Sequence, residues 1–393
     1  MNLISFELKK FLFDKKTLIL MTVFSVLLIG GTVRQELSVN MEESFHLTLQ
    51  SQAENNIQTF SQILINNENV LSKEKKQEFE ENLQLQEKIL DALKANDLNK
   101  YFDLRYQFDE KELEKTTANN PMSRMSRKMS EQEMKYIRLV KARGLDFEYM
   151  PSMQIHAFGK LVTTFSTIFN NLWLLGFAMI LTINFAALFE NKEIRVYQSL
   201  GTKKSGIILK KLFSSVSMTY LWLIILSGLF LVSVGLIKGL GSPNYPAYLQ
   251  EIPPLSALLN SGESAPPEIR LANMAISNGN VILISLAYAI IILFFLASLG
   301  MFLSTLTKRS MLVVGIIAIL TEGYSSIKDE AWIQPFRKFV PMSYLDPVNL
   351  LKYPAYLFNK NSLLFGVIYL SLLGVVLLFS SYLILKNYRI RRI

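Results

Sequence analysis

Residues 161–189 carry no charged side chain, and neither do residues 213–237. Each run exceeds the roughly 20 apolar residues needed to cross a bilayer core. Residues 190–212, ENKEIRVYQSLGTKKSGIILKKL, join them. This hairpin sets Lys192, Arg195, Lys203, Lys204, Lys210 and Lys211 against Glu190 and Glu193. Short loops this basic stay on the cytoplasmic side. Gly201 is suited to end one short helix and turn the chain, so the hairpin is expected to be helix, Gly-Thr, helix, with the next span starting at Leu212. A topology anchor needs only a few lysines. The length of the hairpin therefore points to docking of a cytoplasmic partner, with Glu190, Glu193, Arg195, Gly201, Lys203 and Lys204 as the contact candidates.

Four further apolar runs extend this pattern to six spans: 17–33, 161–189, 212–237, 281–306, 311–327 and 362–385. Half of the 393 residues are hydrophobic and 19% are charged, which fits a multi-pass membrane protein with one polar insert. The first run follows the basic segment 1–16. In that segment Leu3, Ile4, Phe6, Leu8, Phe11, Leu12 and Phe13 supply apolar bulk, and Lys9, Lys10, Lys15 and Lys16 supply cationic anchors, as in a helix lying at the membrane interface. A basic start before an apolar run also describes a secretory signal, but no A-x-A site follows and five spans come later. The fold expected is an all-α membrane protein. It has six transmembrane helices, an interfacial N-terminal helix, a cytoplasmic hairpin and a helical extracellular domain.

That extracellular domain is residues 34–160, between the first span (1–33 with its leading helix) and the five-span remainder, 161–393. Phe79, Leu83, Leu90 and Leu93 fall near heptad spacing with Ile89 beside them. Ala95-Asn96-Asp97 breaks that helix. Ser130-Glu131-Gln132-Glu133 reads as a capping box opening another, and Gly144 as its C-cap. About four helices are expected. Residues 36–114 carry 17 acids against 8 bases, and residues 115–143 carry 8 bases against 2 acids. Either the two lobes pack together or the acidic one attracts a cationic ligand. Residues 238–280 hold six prolines and read as a second outer loop with no long helix.

Counting charges orients the chain. The four segments expected inside carry 16 Lys or Arg and only Glu7, Asp14, Glu190 and Glu193 as acids. Both termini are then cytoplasmic. The net charge of +9 lies at the inner membrane face, so nucleic acid is not an expected partner. With no cysteine and only His46 and His156, neither a disulfide framework nor a His-rich metal centre is available. There is no G-x-x-x-x-G-K-[ST] and no visible nucleophilic triad, so the chain is not expected to be an enzyme.

The six spans, the amphipathic N-terminal helix, the charged hairpin between spans two and three, and a fourth span ending FLASLGMFLSTLTKRS together resemble the ABC-2 type permeases of ABC transporters. FVPMSYLDPVNLL, within residues 328–361, resembles their outer re-entrant helices. The likeness covers about two thirds of the chain. The hairpin departs from it, having SLGTKKSGIILKKL where many members carry a Pro. The resemblance implies half of an exporter in a cell membrane, of bacterial type. This half would pair with a second copy or a homologue and seat a separate ATPase that binds ATP and Mg, with no cofactor in this chain. It implies a hydrophobic or amphipathic cargo and places Asn170, Trp173 and Phe177 near the pathway; the acidic lobe and helical insert make a cationic peptide the leading candidate. The alternative is a membrane sensor, or a resistance or immunity component, that binds an extracellular peptide.

Glu322 is the acid inside an apolar run. It lies roughly 16 Å from Met311 along a helix, where a charge costs on the order of 2.5–3.5 kcal/mol. Three readings stand: the span ends early at Gly323, Glu322 pairs with Arg337 or Lys338, or it lines the pathway.

Overall fold

The computed structural model describes residues 3–38, 41–67, 70–115, 121–147, 155–170, 172–199, 201, 203–247, 276–328, 330, 332–352 and 362–387. Some side chains within these ranges, including those of Asn170, Trp173 and Lys204, lie outside the description. Four of the prolines expected in the second loop (Pro253, Pro254, Pro266 and Pro267) and most of the basic tail lie outside it as well.

The described chain is helical, with one isolated antiparallel bridge, Pro246 to Ser277. The helices are α1 (Leu3–Phe13), α2 (Lys15–Ser38), α3 (Met41–Asn66), α4 (Lys73–Lys94), α5 (Leu98–Lys115), α6 (Pro121–Ala142), α7 (Ala157–Asn170), α8 (Leu172–Glu190), α9 (Glu193–Ser199), α10 (Lys204–Lys238), α11 (Asn278–Thr307), α12 (Ser310–Ile327), α13 (Pro347–Lys352) and α14 (Ser362–Asn387). Five are long and apolar enough to cross a membrane: Lys15–Leu37, Ser205–Lys238, Asn278–Thr307, Ser310–Ile327 and Ser362–Lys386. The chain is a multi-pass membrane protein. The run expected as one second span is two helices, Ala157–Phe169 and Leu174–Glu190, bent by 56°. The bend lies between Phe169 and Leu174.

The chain divides into two compact units. The first comprises Met1–Arg34, Lys160–Leu240 and Gly279–Ile393. Within it α12 packs on α8 through Val313, Ile317 and Thr321, which recur at helical spacing. Gly176 brings α8 against the Phe24 ring of α2, where a Cβ would sit 2.4 Å from the ring. At the end of the spans away from the hairpin, two 3-10 turns (Gln334–Phe339 and Pro341–Tyr344) lead into α13. Tyr344 is fully buried, with its ring against Phe365 and Tyr369 of α14. Its carbonyl accepts from the Tyr288 hydroxyl at 3.0 Å. Asp346 caps α13 by accepting from the Asn349 amide at 3.0 Å, and it also accepts from the Ser166 hydroxyl at 3.3 Å. FVPMSYLDPVNLL is therefore folded back against α7, α11 and α14 by named bonds.

The second unit is Gln35–Gly159 with Gly241–Asn278. Four helices, α3 to α6, build it. Ser72 caps α4. The break at Ala95-Asn96-Asp97 lies where the sequence places it: Asn96 takes a positive φ of 58°, and Asp97 accepts from the Lys100 amide to start α5. The core joins Leu85, Ile89, Ala92 and Leu93 to Phe102, Tyr136, Ile137 and Phe147, with Tyr245 added from the distant segment. The described part of the second outer loop thus packs with the helical insert rather than with the five-span remainder. The Tyr245 hydroxyl donates to the Asp146 carbonyl, Arg143 donates to the Asn244 carbonyl at 2.5 Å, and an apolar ring buried this way holds the segment.

The capping-box expectation also fails. α6 begins at Pro121 and runs unbroken through Ser130 to Ala142. A proline is suited to the first helical position, since it has no amide hydrogen to leave unsatisfied. Ser130 and Glu133 therefore lie inside the helix rather than at its start. The C-terminal expectation holds: Gly144 has a φ of +63°, and the Leu145 amide returns to the Val140 carbonyl.

Among the described residues, α6 sets basic side chains against acidic ones of α5. Lys141 of α6 pairs with Asp103 of α5. Arg138 donates to the Tyr106 hydroxyl at 2.7 Å and lies 3.8 Å from Glu110. Deeper in, Arg105 pairs with Asp109 at 3.0 Å, and Glu133 faces the same guanidinium. Burial pushes the Asp109 and Glu133 carboxyls above the usual range, and Arg105 offsets this only in part. Tyr101, beside them, is pushed up to about 12 by burial. Because the folded unit binds protons more tightly than the unfolded chain, its stability falls as pH rises from ordinary carboxylate values through the raised ones. Hydrogen exchange of α5 and α6 in the full-length protein is therefore expected to slow on mild acidification, and Glu133→Gln to flatten that dependence.

Candidate functional site

The polar residues of the hairpin assemble a platform from four elements of the first unit. α8 ends at Glu190, and the chain turns through Lys192 with a φ of 55°. One short helix follows, α9. Its register is legible: Ile194 and Tyr197, three apart, are buried, and Arg195, Val196 and Ser199 are exposed. Gly201, with a φ of +72°, then adopts a backbone conformation that side chains disfavour.

The second hairpin helix is not a separate element. α10 runs from Lys204 to Lys238 without interruption, because residues 207–227 contain no Gly or Pro to stop it. Its foot is polar and its body apolar. A displacement at the foot is therefore carried by one rigid helix of 35 residues, about 52 Å at 1.5 Å per residue.

An ion-pair knot ties the foot to its neighbours. Glu193, at the start of α9, meets Lys10 of α1 at 2.5 Å and Lys211 of α10 at 3.0 Å. The Lys211 side chain is only 3% exposed. Burial by itself would raise the Glu193 carboxyl, but Lys211 and then Lys10 outweigh it and hold the group below the usual range. Glu7, one turn before Lys10 and Phe11, is buried and accepts from the Tyr197 hydroxyl. Burial pushes its carboxyl up, with Lys211 and Lys10 opposing. α1, α9 and α10 thus share one buried polar cluster, flanked by Phe11, Ile194, Ile207 and Ile208.

Glu190 makes a different join. Its Oε1 accepts from the Ser310 amide at 2.6 Å and from the Ser310 hydroxyl at 2.9 Å. This places a carboxylate at the positive end of α12 and fixes the end of α8 to the start of α12.

The six hairpin candidates therefore separate. Glu190 and Glu193 hold the platform together. Arg195, Gly201 and Lys203 are exposed on it. The Lys204 side chain lies outside the described residues. Tyr197, Glu7 and Lys10 belong to the cluster but were not singled out from sequence. The Ile194/Tyr197 spacing was the available signal for the first; nothing local marks the other two, whose partners lie far along the chain.

The pathway candidates are dispersed. Phe177 is buried, its ring centroid 5.1 Å from that of Trp222, and the Trp222 indole donates to Ser25 at 3.1 Å. It packs α8, α10 and α2 together. The side chains of Asn170 and Trp173 lie outside the described residues. Glu322 is half-buried on α12. The helix does not stop at Gly323 but continues to Ile327. Arg337 instead donates to the Lys328 carbonyl, and no cation among the described residues lies within ion-pair distance of Glu322.

Comparison of the chain with known protein families, with curated proteins and with solved structures finds no match.

Proposed function

We propose that this chain is the permease half of an ATP-driven exporter of the ABC-2 type, built from six spans with the bent pair α7 and α8 counted as one. It pairs with a second copy or a homologue around the pathway. A separate ATPase subunit supplies ATP and Mg. Both termini are cytoplasmic in a bacterial cell membrane, and the second unit is extracellular. α1 lies at the interface, consistent with exposed Phe6, Leu12 and Phe13.

The observation that carries this reading is the platform. Its inward residues, Glu7, Lys10, Glu193, Tyr197 and Lys211, are committed to one another. Its outward residues, Arg195, Val196 and Lys203, have no such work, and Val196 is 59% exposed. A surface of this kind suits a protein partner that pushes on α9. The push passes through Glu193 into α10, and through Glu190 into α12. Rocking of the two halves then opens the pathway. Reversing both exposed charges, Arg195→Glu with Lys203→Glu, is expected to leave the permease folded and inserted while abolishing ATPase binding and transport. Normal transport by that double variant overturns the docking assignment.

The cargo is amphipathic, with a peptide as the leading candidate. Glu322 lines its route, as a carboxylate within a span that no described cation neutralises. Glu322→Gln keeps the shape and removes the charge. It is expected to assemble normally and to lose stimulation of ATP hydrolysis by cationic cargo. Unchanged transport across the pH range contradicts the role.

A further inference from the structure

A cavity of about 730 Å³ opens beside the platform, between α1, α2, α8, α10 and α12. Its volume lies within the range of small-molecule sites. Its wall changes character along the spans. Leu20, Met179, Ile183 and Val314 line the part within the apolar runs. The part toward the hairpin carries Lys10, Lys16 and Lys211 against Asp14, Glu190 and Glu193, so the formal charges of that mouth cancel.

Most of these charges already have partners. Lys10 and Lys211 are held by Glu193. Asp14 accepts from the Thr17 amide at 3.0 Å and from its hydroxyl at 2.6 Å. Glu190 holds Ser310 mainly through Oε1, and its Oε2 has only the Ser310 hydroxyl at 3.1 Å. Among the described residues, the Lys16 ammonium and the Asn191 side-chain amide have no partner. The cavity therefore offers two donors and one under-used carboxylate oxygen at its charged mouth, above an apolar floor that enters the membrane.

We propose that this cavity is a binding site for a zwitterionic membrane phospholipid with a phosphoethanolamine head. Lys16 and Asn191 take the phosphate, Glu190 takes the primary ammonium, and an acyl chain lies along Leu20, Ile183 and Val314. An anionic head such as phosphoglycerol would satisfy Lys16 but bring no cation to Glu190. A choline head has no N–H to offer Glu190. A soluble phosphate would leave the apolar floor wet. The occupant bridges α2, α8 and α12 beside the platform, so lipid content sets how firmly those helices hold together. This does not depend on an ATPase docking there.

The test uses the purified full-length chain in detergent, supplemented in turn with phosphatidylethanolamine, phosphatidylcholine, phosphatidylglycerol and soluble glycerophosphoethanolamine. Thermal unfolding is followed, and retained lipid is counted by native mass spectrometry. Phosphatidylethanolamine is expected to raise the unfolding temperature most and to be retained. Glycerophosphoethanolamine at the same concentration is expected to do neither. Lys16→Glu, an exposed change, is expected to weaken retention roughly tenfold through loss of a charge-assisted bond. Val314→Trp fills the floor and is expected to abolish retention. Should that variant fold poorly, Asn191→Leu at the exposed mouth is expected to reduce the headgroup preference alone. Equal stabilisation by all three lipids, stronger stabilisation by phosphatidylglycerol, or unaltered retention by Lys16→Glu overturns the proposal.

Discussion

Glu193→Lys is expected to take the platform apart. The substituted ammonium would lie between Lys10 and Lys211, placing three cations beside Glu7 where Glu193 now pairs with both lysines. Removing one partner of a buried ion pair typically costs about 3–5 kcal/mol, because the charge left behind stays desolvated. Here the charge left buried is Lys211, whose side chain is 3% exposed and which keeps only Glu7 as a neighbouring carboxylate; Lys10, 34% exposed, is screened by water. α1 should detach from α10, seen as protease sensitivity after residue 16 and a lowered unfolding temperature. Glu193→Gln is expected to be milder, since an amide oxygen still accepts from one lysine. The contrast with Arg195→Glu/Lys203→Glu is diagnostic. Those surface reversals abolish partner binding without changing the unfolding temperature, whereas Glu193→Lys changes both. A stable, correctly inserted Glu193→Lys protein would show that the cluster is not what binds α1 to α9.

The second large effect concerns the discontinuous unit. Excising residues 41–150 and bridging the ends removes α3 to α6 but leaves the segment that carries Tyr245. That ring is 8% exposed in the intact protein, and the excision removes Tyr136, Phe102 and Phe147 from around it. It also removes Asp146 and Arg143, which bond Tyr245 and Asn244. The shorter protein is expected to aggregate. A second construction that also replaces residues 242–277 by a short flexible linker is expected to stay dispersed, with its spans inserted. Size-exclusion profiles of the two proteins in one detergent make the comparison. Equal behaviour would mean that residues 241–247 do not rely on the helical insert.

The sequence makes the spans legible because hydropathy over twenty residues is a strong, local signal. The apolar runs at 281–306, 311–327 and 362–385 agree with α11, α12 and α14 to within a few residues. Gly201 and the Asn96 break are legible for the same reason, since each is decided by the conformation of one residue. Three features are not legible. The foot of α10 merges with its span because nothing interrupts it, and the basic residues that suggested a separate helix are compatible with either arrangement. The Ser130 motif satisfies a local pattern in a place where Pro121 has already begun the helix. The Glu193 cluster depends on Lys10 and Lys211 arriving from either side, and no spacing rule connects them. The sequence marked Glu193 as a contact residue because it is charged and lies in a loop. Its environment makes it an internal brace, so under the proposed docking the contact falls to its exposed neighbours.

Val196, between Arg195 and the buried Tyr197 in sequence, is exposed on the proposed docking face. Replacing Val196 with a photo-crosslinking amino acid in living cells tests the central claim most directly. Illumination is expected to capture one protein bearing a P-loop ATPase sequence, in proportion to the permease. Capture should vanish when Arg195→Glu and Lys203→Glu are added. Transport with no ATPase captured at Val196, or capture that ignores those reversals, would contradict the account.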